Sequence, residues 1–398
     1  MISAQEALTI ILDRVKPLDP ISLSLDRSRG CSLAEDIRSG MDIPPFDNAA
    51  MDGYAFRAED ISSVPGILTI IGEASAGTTS AKTPGKAEAC LITTGALIPA
   101  GCTAVVQHEW TEKIDETHVK VLHPVPVGSN IRRAGGDIKK GALALERGST
   151  MRPQEIGVLA SLGKNFVTVY RRPGVAVVAT GNELTQLNKH LAPGKIYNSN
   201  AHLLCALLEE AGAEQKNLGV ARDTPEEIRS TIIEGLSEDM LITSGGVSAG
   251  KYDLVIDAMK AAGVEIVFWK VNIKPGMPIV FGMKGATPVF GLPGNPVSTM
   301  VTFLKFVKPA IQKLMGSANA GSSMTFRAVL THEIKKTDGR RHYVRGILEQ
   351  KDGKLVVSST GSQVSNVQSS LVKANCLIIL PAEQELVRAG GEVEIELL

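Results

Sequence analysis

Between 174 and about 315 the chain alternates between a strand period and a helix period, and this restricts its fold more than any other feature. Residues 175–179, VAVVA, form a continuous apolar run, as a parallel strand buried on both faces requires. Leu203, Leu204, Leu207, Leu208 and Ala211 then recur at helical spacing. A strand near 216–221 follows. Thr224, Pro225 and Glu227 mark the next helix start, with Ile228, Ile232, Ile233 and Leu236 as its buried stripe. A strand at 239–243, a helix at 253–262, a strand at 266–271 and a helix opened by Asn295-Pro296 complete the series. This pattern predicts a doubly wound α/β domain.

The flanking segments read differently. Residues 1–15 carry a helical stripe (Ala7, Leu8, Ile11, Leu12, Val15) behind Ser3 as a cap, and Pro17 and Pro20 end it. A short strand is expected at 21–25 and a second helix at 152–163. Between them, runs at 67–71, 89–92, 104–107 and 118–122 are broken by glycine and proline, which predicts a β-rich insertion. Residues 323–398 are β-rich again, with a hairpin turn at Lys351-Asp352-Gly353-Lys354. Four domains are expected: a helical connecting domain at 1–40 and 142–173, an inserted β-rich domain at 41–141, the α/β domain at 174–320, and a small C-terminal β-barrel at 321–398.

In an α/β sheet, ligands sit outside the carboxyl ends of the strands, and the polar clusters of this chain fall there. Thr180-Gly181-Asn182-Glu183 follows the first strand and Arg222-Asp223 the second. The third runs into Ser244-Gly245-Gly246-Val247-Ser248-Ala249-Gly250, with Asp253 opening the next helix. Strand, glycine turn and helix present backbone N–H groups to an anion. The turn nearly spells a P-loop, but Tyr252 stands after Lys251 where Ser or Thr is needed for Mg²⁺. Lys270 and Lys274 lie in KVNIKPGMP, and GLPGNP follows the last apolar strand. Singly each is an ordinary cap or solvated charge; together they are the strongest functional signal in the chain. In the inserted segment, PPFDNAAMDGYA, the turn around Thr94 and IRRAGGDI are further candidates.

The totals exclude several classes. Forty-two basic and 42 acidic residues cancel, so no broad electrostatic footprint for nucleic acid is expected. No apolar run is long enough to span a bilayer. Five scattered cysteines without a CxxC pair suggest a reducing, cytoplasmic setting. There is no HExxH and no GxSxG.

The strings PPFDNAAMDGYA, TTGALIP, RRAGGDI, TGNEL, SGGVSAGKYD, IKPGMP and GLPGNPVS stand in the order found in the molybdopterin molybdenumtransferases, the MoeA proteins and the E domain of gephyrin. The chain resembles that family over nearly its whole length. The resemblance implies molybdenum insertion from molybdate into adenylylated molybdopterin with release of AMP. It also implies four domains, a homodimer sharing its cleft between subunits, and a molybdopterin adenylyltransferase as partner. It implies acidic roles for Asp52, Asp137, Glu183, Asp223 and Asp253, with Thr94 beside them. Glu183, Asp223 and Asp253 are the expected Mg²⁺ ligands. Asp52 and Asp137 are expected to reach the cleft from the other subunit. Ligand contacts are expected from Gly181, Ser244, Gly245, Gly246, Ser248, Lys270, Lys274, Pro293, Pro296, Arg345 and Ser365. The chain departs from the family pattern at Met277, where some relatives carry lysine, and at Val364, where glycine is expected. Two alternatives stay open: a P-loop-like nucleotide hydrolase, and a non-catalytic pterin-binding scaffold.

Overall fold

The structure, a computed structural model, describes residues 1–78, 82–247 and 254–398. The chain divides into two compact units. The first comprises Met1–Glu35, Arg147–Arg152 and Phe166–Leu398; the second comprises Asp36–Glu146 and Pro153–Asn165.

The first unit is built on a six-stranded sheet in the order Glu214–Ala221, Gly174–Thr180, Met240–Ser244, Thr287–Leu292, Val280–Lys284, Glu265–Trp269. The first four strands are parallel. Side chains alternate across the sheet, so each strand feeds two cores. Val175, Val177, Met240, Ile242 and Phe290 pack with Leu204, Leu208, Phe306 and Ile311 on one face. Ala176, Val178, Leu241 and Val289 pack with Ile228, Ile232, Val255 and Met259 on the other. That is why the sequence reads as continuously apolar there.

The edge of the sheet differs from a simple alternation. Val280–Lys284 and Thr287–Leu292 form a hairpin around Gly285, and Glu265–Trp269 pairs antiparallel with the first of them. The tight turn places Thr287–Leu292 in the parallel set and reverses its neighbour.

Local signals set the helix ends. Helix Ala4–Arg14 has a full capping box: Ser3 Oγ accepts from Glu6 N at 3.1 Å, and Glu6 Oε2 accepts from Ser3 N at 2.7 Å. At helix Pro225–Gly235, Thr224 Oγ1 caps Glu227 N, but Glu227 Oε1 accepts from Arg222 N at 3.0 Å. The reciprocal half of the box is therefore absent. The last helix is not continuous: Pro296–Thr302 passes through a π turn, Phe303–Val307, into Lys308–Leu314. Pro309 has no N–H and its ring crowds the carbonyl four residues earlier, and the wider turn absorbs both.

The C-terminal strands close a five-stranded barrel in the order Arg341–Lys351, Lys354–Ser359, Thr325–Leu330, Glu392–Leu397, Cys376–Leu380, the last pairing back to the first. Its hairpin turn has φ 50° at Asp352 and 74° at Gly353, as a two-residue turn with both central residues left-handed requires.

The second unit holds a six-stranded sheet in the order Ala104–Gln107, Gly53–Phe56, Glu88–Ile92, Gly66–Ala74, His118–Val121, Thr111–Lys113. Gly53–Phe56 reads as part of a loop in the sequence, yet it is an interior strand with all four residues buried. It is too short to show a period. A Cβ on Gly53 would overlap the Val106 carbonyl, so only glycine fits.

One ion pair ties the start of the α/β sheet. Both Asp239 oxygens accept from the Arg171 guanidinium, and Oδ2 also accepts from Gly174 N at 2.8 Å. Burial alone would raise the Asp239 carboxyl; the Arg171 and Gly174 bonds outweigh it and hold the group below the usual carboxylate range. Its folded pKa is depressed, so its stabilisation is full above the unfolded value of roughly 4 and fades as pH falls below it. Asp239→Asn is expected to cost about 1–3 kcal/mol at neutral pH. In urea unfolding, the gap from the parent protein should shrink at acid pH; a gap constant with pH would contradict this.

Candidate functional site

The chain turns from the strand Gly174–Thr180 to one neighbour, then crosses to the other side, so the crevice above Thr180 and Ser244 lies at the topological switch. Glycines set its walls. Gly245 has φ 98°, and a Cβ there would stand 2.6 Å from the Thr180 carbonyl oxygen. Gly246 has φ 63°, and its Cβ would meet Thr180 Oγ1 at 3.1 Å and Val255 Cγ2 at 2.5 Å. A Cβ on Gly181 would stand 2.6 Å from either carboxylate oxygen of Glu183, which folds back over it. Gly245 thus meets the Thr180 backbone directly, and Gly181 and Gly246 leave room for the side chains packed over them.

Hydrogen bonds join the other strand ends to this crevice. Asp223 Oδ2 accepts from Asn182 N at 3.0 Å, and Asp223 N donates to Asn182 Oδ1 at 3.2 Å, so the Glu183 and Asp223 turns are locked together. Asn200 Nδ2 donates to Ser244 Oγ at 3.0 Å and to the Gly294 carbonyl at 2.7 Å. Gly245 N donates to the Leu292 carbonyl at 3.0 Å, and the Pro293 carbonyl accepts from Thr299 Oγ1 at 2.7 Å. Thr180 Oγ1, Thr243 Oγ1 and Asn200 Oδ1 are buried with no hydrogen-bond partner among the described residues. Such groups cost about 1–3 kcal/mol each when unsatisfied, which marks the strand ends as a place adapted to something other than stability.

Two lysines, Lys270 and Lys274, follow the edge strand Glu265–Trp269. Trp269 Nε1 donates to the Val247 carbonyl at 3.2 Å, and the Lys270 ammonium lies 4.0 Å from the centre of the Trp269 ring. Lys274 Nζ donates to Asp338 Oδ2 at 3.1 Å. The Asn295 side chain does not cap its own helix; its Nδ2 donates to Ser365 Oγ at 3.0 Å, and Val297 N donates to the Ser365 carbonyl at 3.3 Å. Arg345 is 1% exposed. Its guanidinium donates to the Ser362, Gln363 and Val364 carbonyls and to Ser370 Oγ, so it holds the loop that carries Ser365.

In the second unit, three motif-bearing turns are neighbours. Asp52 Oδ1 accepts from Thr94 N at 2.6 Å, and that bond holds its carboxyl below the usual range. Ala49 N donates to the Ala96 carbonyl and Gly95 N to the Ala49 carbonyl. Asn48-Ala49 pairs with Ile131-Arg132, while Asp47 accepts from Arg133 Nη1 and Ala134 N. Asp137 is exposed, with its backbone N–H on the Ile43 carbonyl at 3.0 Å.

The chain matches known proteins over nearly its whole length. The model for the MoeA N-terminal region (domains I and II) matches residues 2–163, the probable molybdopterin-binding domain matches 176–313, and the MoeA C-terminal region (domain IV) matches 327–398. A molybdopterin molybdenumtransferase of Haemophilus influenzae is 37% identical, covering 100% of this chain and 98% of its own length. Molybdopterin molybdenumtransferase 2 of Mycobacterium tuberculosis is 35% identical over 99% of both. The chain belongs to the molybdopterin molybdenumtransferase family. The crystal structure of the molybdopterin biosynthesis moeA protein of Pyrococcus horikoshii OT3 superposes with a TM-score of 0.86 at 32% identity, covering both chains completely.

Of the residues this family resemblance singles out, Gly181, Glu183, Asp223, Ser244, Gly245, Gly246, Pro293 and Pro296 lie at the carboxyl ends of the parallel strands, on turns linked by hydrogen bonds. Asp52 and Thr94 are in direct contact. Ser248 and Asp253 lie outside the described residues. Among the described residues no three His, Cys, Asp or Glu side chains gather closely enough to hold a metal. Sequence reasoning gave Asn182 no role of its own and overlooked Asn200, Trp269 and Asp338; all four position the named residues. Asn182 stands in the TGNEL string and was in view; the others carry no local signal.

Gly245→Ala tests the close approach. The new Cβ meets the Thr180 carbonyl and the left-handed backbone is strained, so a loss of about 1–3 kcal/mol in chemical unfolding is expected. An unchanged midpoint would show that the turns separate freely.

Proposed function

We propose that this chain inserts molybdenum from molybdate into adenylylated molybdopterin and releases AMP. The observation that carries the reading is the crevice at the switch point, where glycine turns meet backbone to backbone and Glu183 and Asp223 stand on linked turns. The membership of the chain in the molybdopterin molybdenumtransferases supplies the substrate class.

The residues have distinct tasks in this reading. The glycine turn that opens at Ser244–Gly246 and the ammonium groups of Lys270 and Lys274 hold the oxyanions of the substrates. Pro293 and Pro296 stiffen the wall opposite. Glu183 and Asp223, with Asp253, orient a water or molybdate oxygen for attack on the phosphoanhydride. Their hard carboxylate oxygens suit Mg²⁺, and the buried hydroxyl of Thr180 has no partner among the described residues. Bound Mg²⁺ would neutralise phosphate charge. Asp52, Thr94 and Asp137 take part in the same reaction. The chain works as a cytoplasmic homodimer and receives its substrate from a molybdopterin adenylyltransferase. No helix among the described residues is long and apolar enough to cross a membrane.

The decisive measurement is AMP release from adenylylated molybdopterin with and without molybdate. Release that depends on molybdate is expected, and Glu183→Gln should slow it by about two decades, roughly 2.7 kcal/mol of barrier. Binding of the adenylylated pterin without release points to a scaffold, and ATP turnover without pterin points to a nucleotide hydrolase; either outcome defeats the proposal. An undiminished rate in folded Glu183→Gln removes that carboxylate from the mechanism.

A further inference from the structure

The loop at 336–340, between barrel strands, is held against the IKPGMP segment with unusual thoroughness. Ile273 and Lys274 pair in parallel with Arg341 and His342. Asn272 Nδ2 donates to the Gly339 carbonyl at 3.1 Å, and Arg341 N donates to the Asn272 carbonyl at 3.2 Å. From below, the buried Lys336 ammonium donates to the Arg340 carbonyl at 2.9 Å and the Ala382 carbonyl at 2.8 Å.

The product of this docking is one carboxylate with three partners. Asp338 Oδ2 accepts from both Lys274 Nζ, at 3.1 Å, and Arg340 Nη2, at 2.8 Å. Asp338 Oδ1 meets His342 Nε2 at 2.7 Å. Burial would raise the Asp338 carboxyl, but these three partners hold it far below the usual range. His342 is pushed down by burial, against the pull of Asp338. Lys274 and Arg340 alone already outnumber the single carboxylate. Their side chains are 50% and 25% exposed. An ammonium has three donors and a guanidinium five, so both groups keep donors beyond Asp338. Arg340 Nη1 meets Met277 Sδ at 4.0 Å, a weak acceptor inside the IKPGMP segment itself.

We propose that Lys274 and Arg340 form a paired cation site for a tetrahedral oxyanion, and that Asp338 is the positioning residue that holds the pair. The proposal rests on the reading of Lys274 given above and adds Arg340 as a second ligand contact. A planar guanidinium beside a point-like ammonium can grip two oxygens of one dianion. Phosphate and molybdate share that chemistry. Asp338 alone does not neutralise the pair; it sets the spacing of two cations that would otherwise repel.

The test is titration calorimetry on the full chain, with sodium molybdate and AMP as separate probes. Arg340→Gln should weaken at least one of them by about tenfold or more, the scale of a charge-assisted hydrogen bond, and Arg340→Lys should recover part of the loss. The affected probe identifies the oxyanion. Asp338→Ala should weaken the same probe, although it removes a negative charge; a mere counter-charge would give tighter binding instead. In turnover, Arg340→Gln should raise KM for the affected substrate more than it lowers kcat. The inference fails if folded Arg340→Gln binds both probes as the parent does, if Asp338→Ala binds more tightly, or if the parent binds neither. Should Lys274→Gln lose the anion while Arg340→Gln keeps it, the inference falls and the wider reading survives. Should Arg340→Gln lose the anion in a parent that releases no AMP, the reverse holds.

Discussion

The crevice depends on a steric fact: backbone meets backbone where the first and third strands of the α/β sheet end. Gly245 and Gly246 lie so near Thr180 that a methyl group at either would press on it. The contact is possible because neighbouring parallel strands end in register, Ala179 opposite Ser244. Everything above the sheet inherits that geometry. The Glu183 turn folds over Gly181, the Asp223 turn docks on Asn182, and Asn200 bridges to Gly294. A side chain at the switch point would spread these turns and dissolve the site without touching a functional group.

How much of this was legible in the sequence follows from how local each cause is. The parallel strands were readable because burial on two faces leaves a continuous apolar run, as in 175–179. The helix at Pro225 was readable because its capping residues sit within one turn of each other. The hairpin that reverses Val280–Lys284 was not, since strand direction is decided by a turn rather than by the strand's own residues. Gly53–Phe56 was missed for a related reason: four small or aromatic residues buried together carry no period, and the preceding prolines suggest a loop.

The site shows the same division. The named glycines and carboxylates announce themselves by residue type and position at strand ends. Their partners do not. Trp269 reads as an edge-strand aromatic until its indole N–H is seen on the Val247 carbonyl. Asp338 lies 64 residues from Lys274 along the chain. Arg345, expected as a ligand contact, has its guanidinium on loop carbonyls that shape the Ser365 turn. Its influence on a ligand would pass through that turn, as a buried charge satisfied by carbonyls is poorly placed to release them.

The barrel has a part in this beyond its own fold. Tyr343, Leu377 and Ile379 belong to the same apolar core as Ala7, Ile11 and the α/β strands. That burial holds the barrel to the sheet, because hydrophobic area is the dominant favourable term. The polar links across the same junction, Asn295 to Ser365 and Lys274 to Asp338, are partly exposed and of little worth as stabilisers. Their value lies in direction. With the junction already fixed by its core, two inexpensive contacts suffice to aim the GLPGNP and IKPGMP turns. The cationic loop of the barrel is thereby held against the IKPGMP turn.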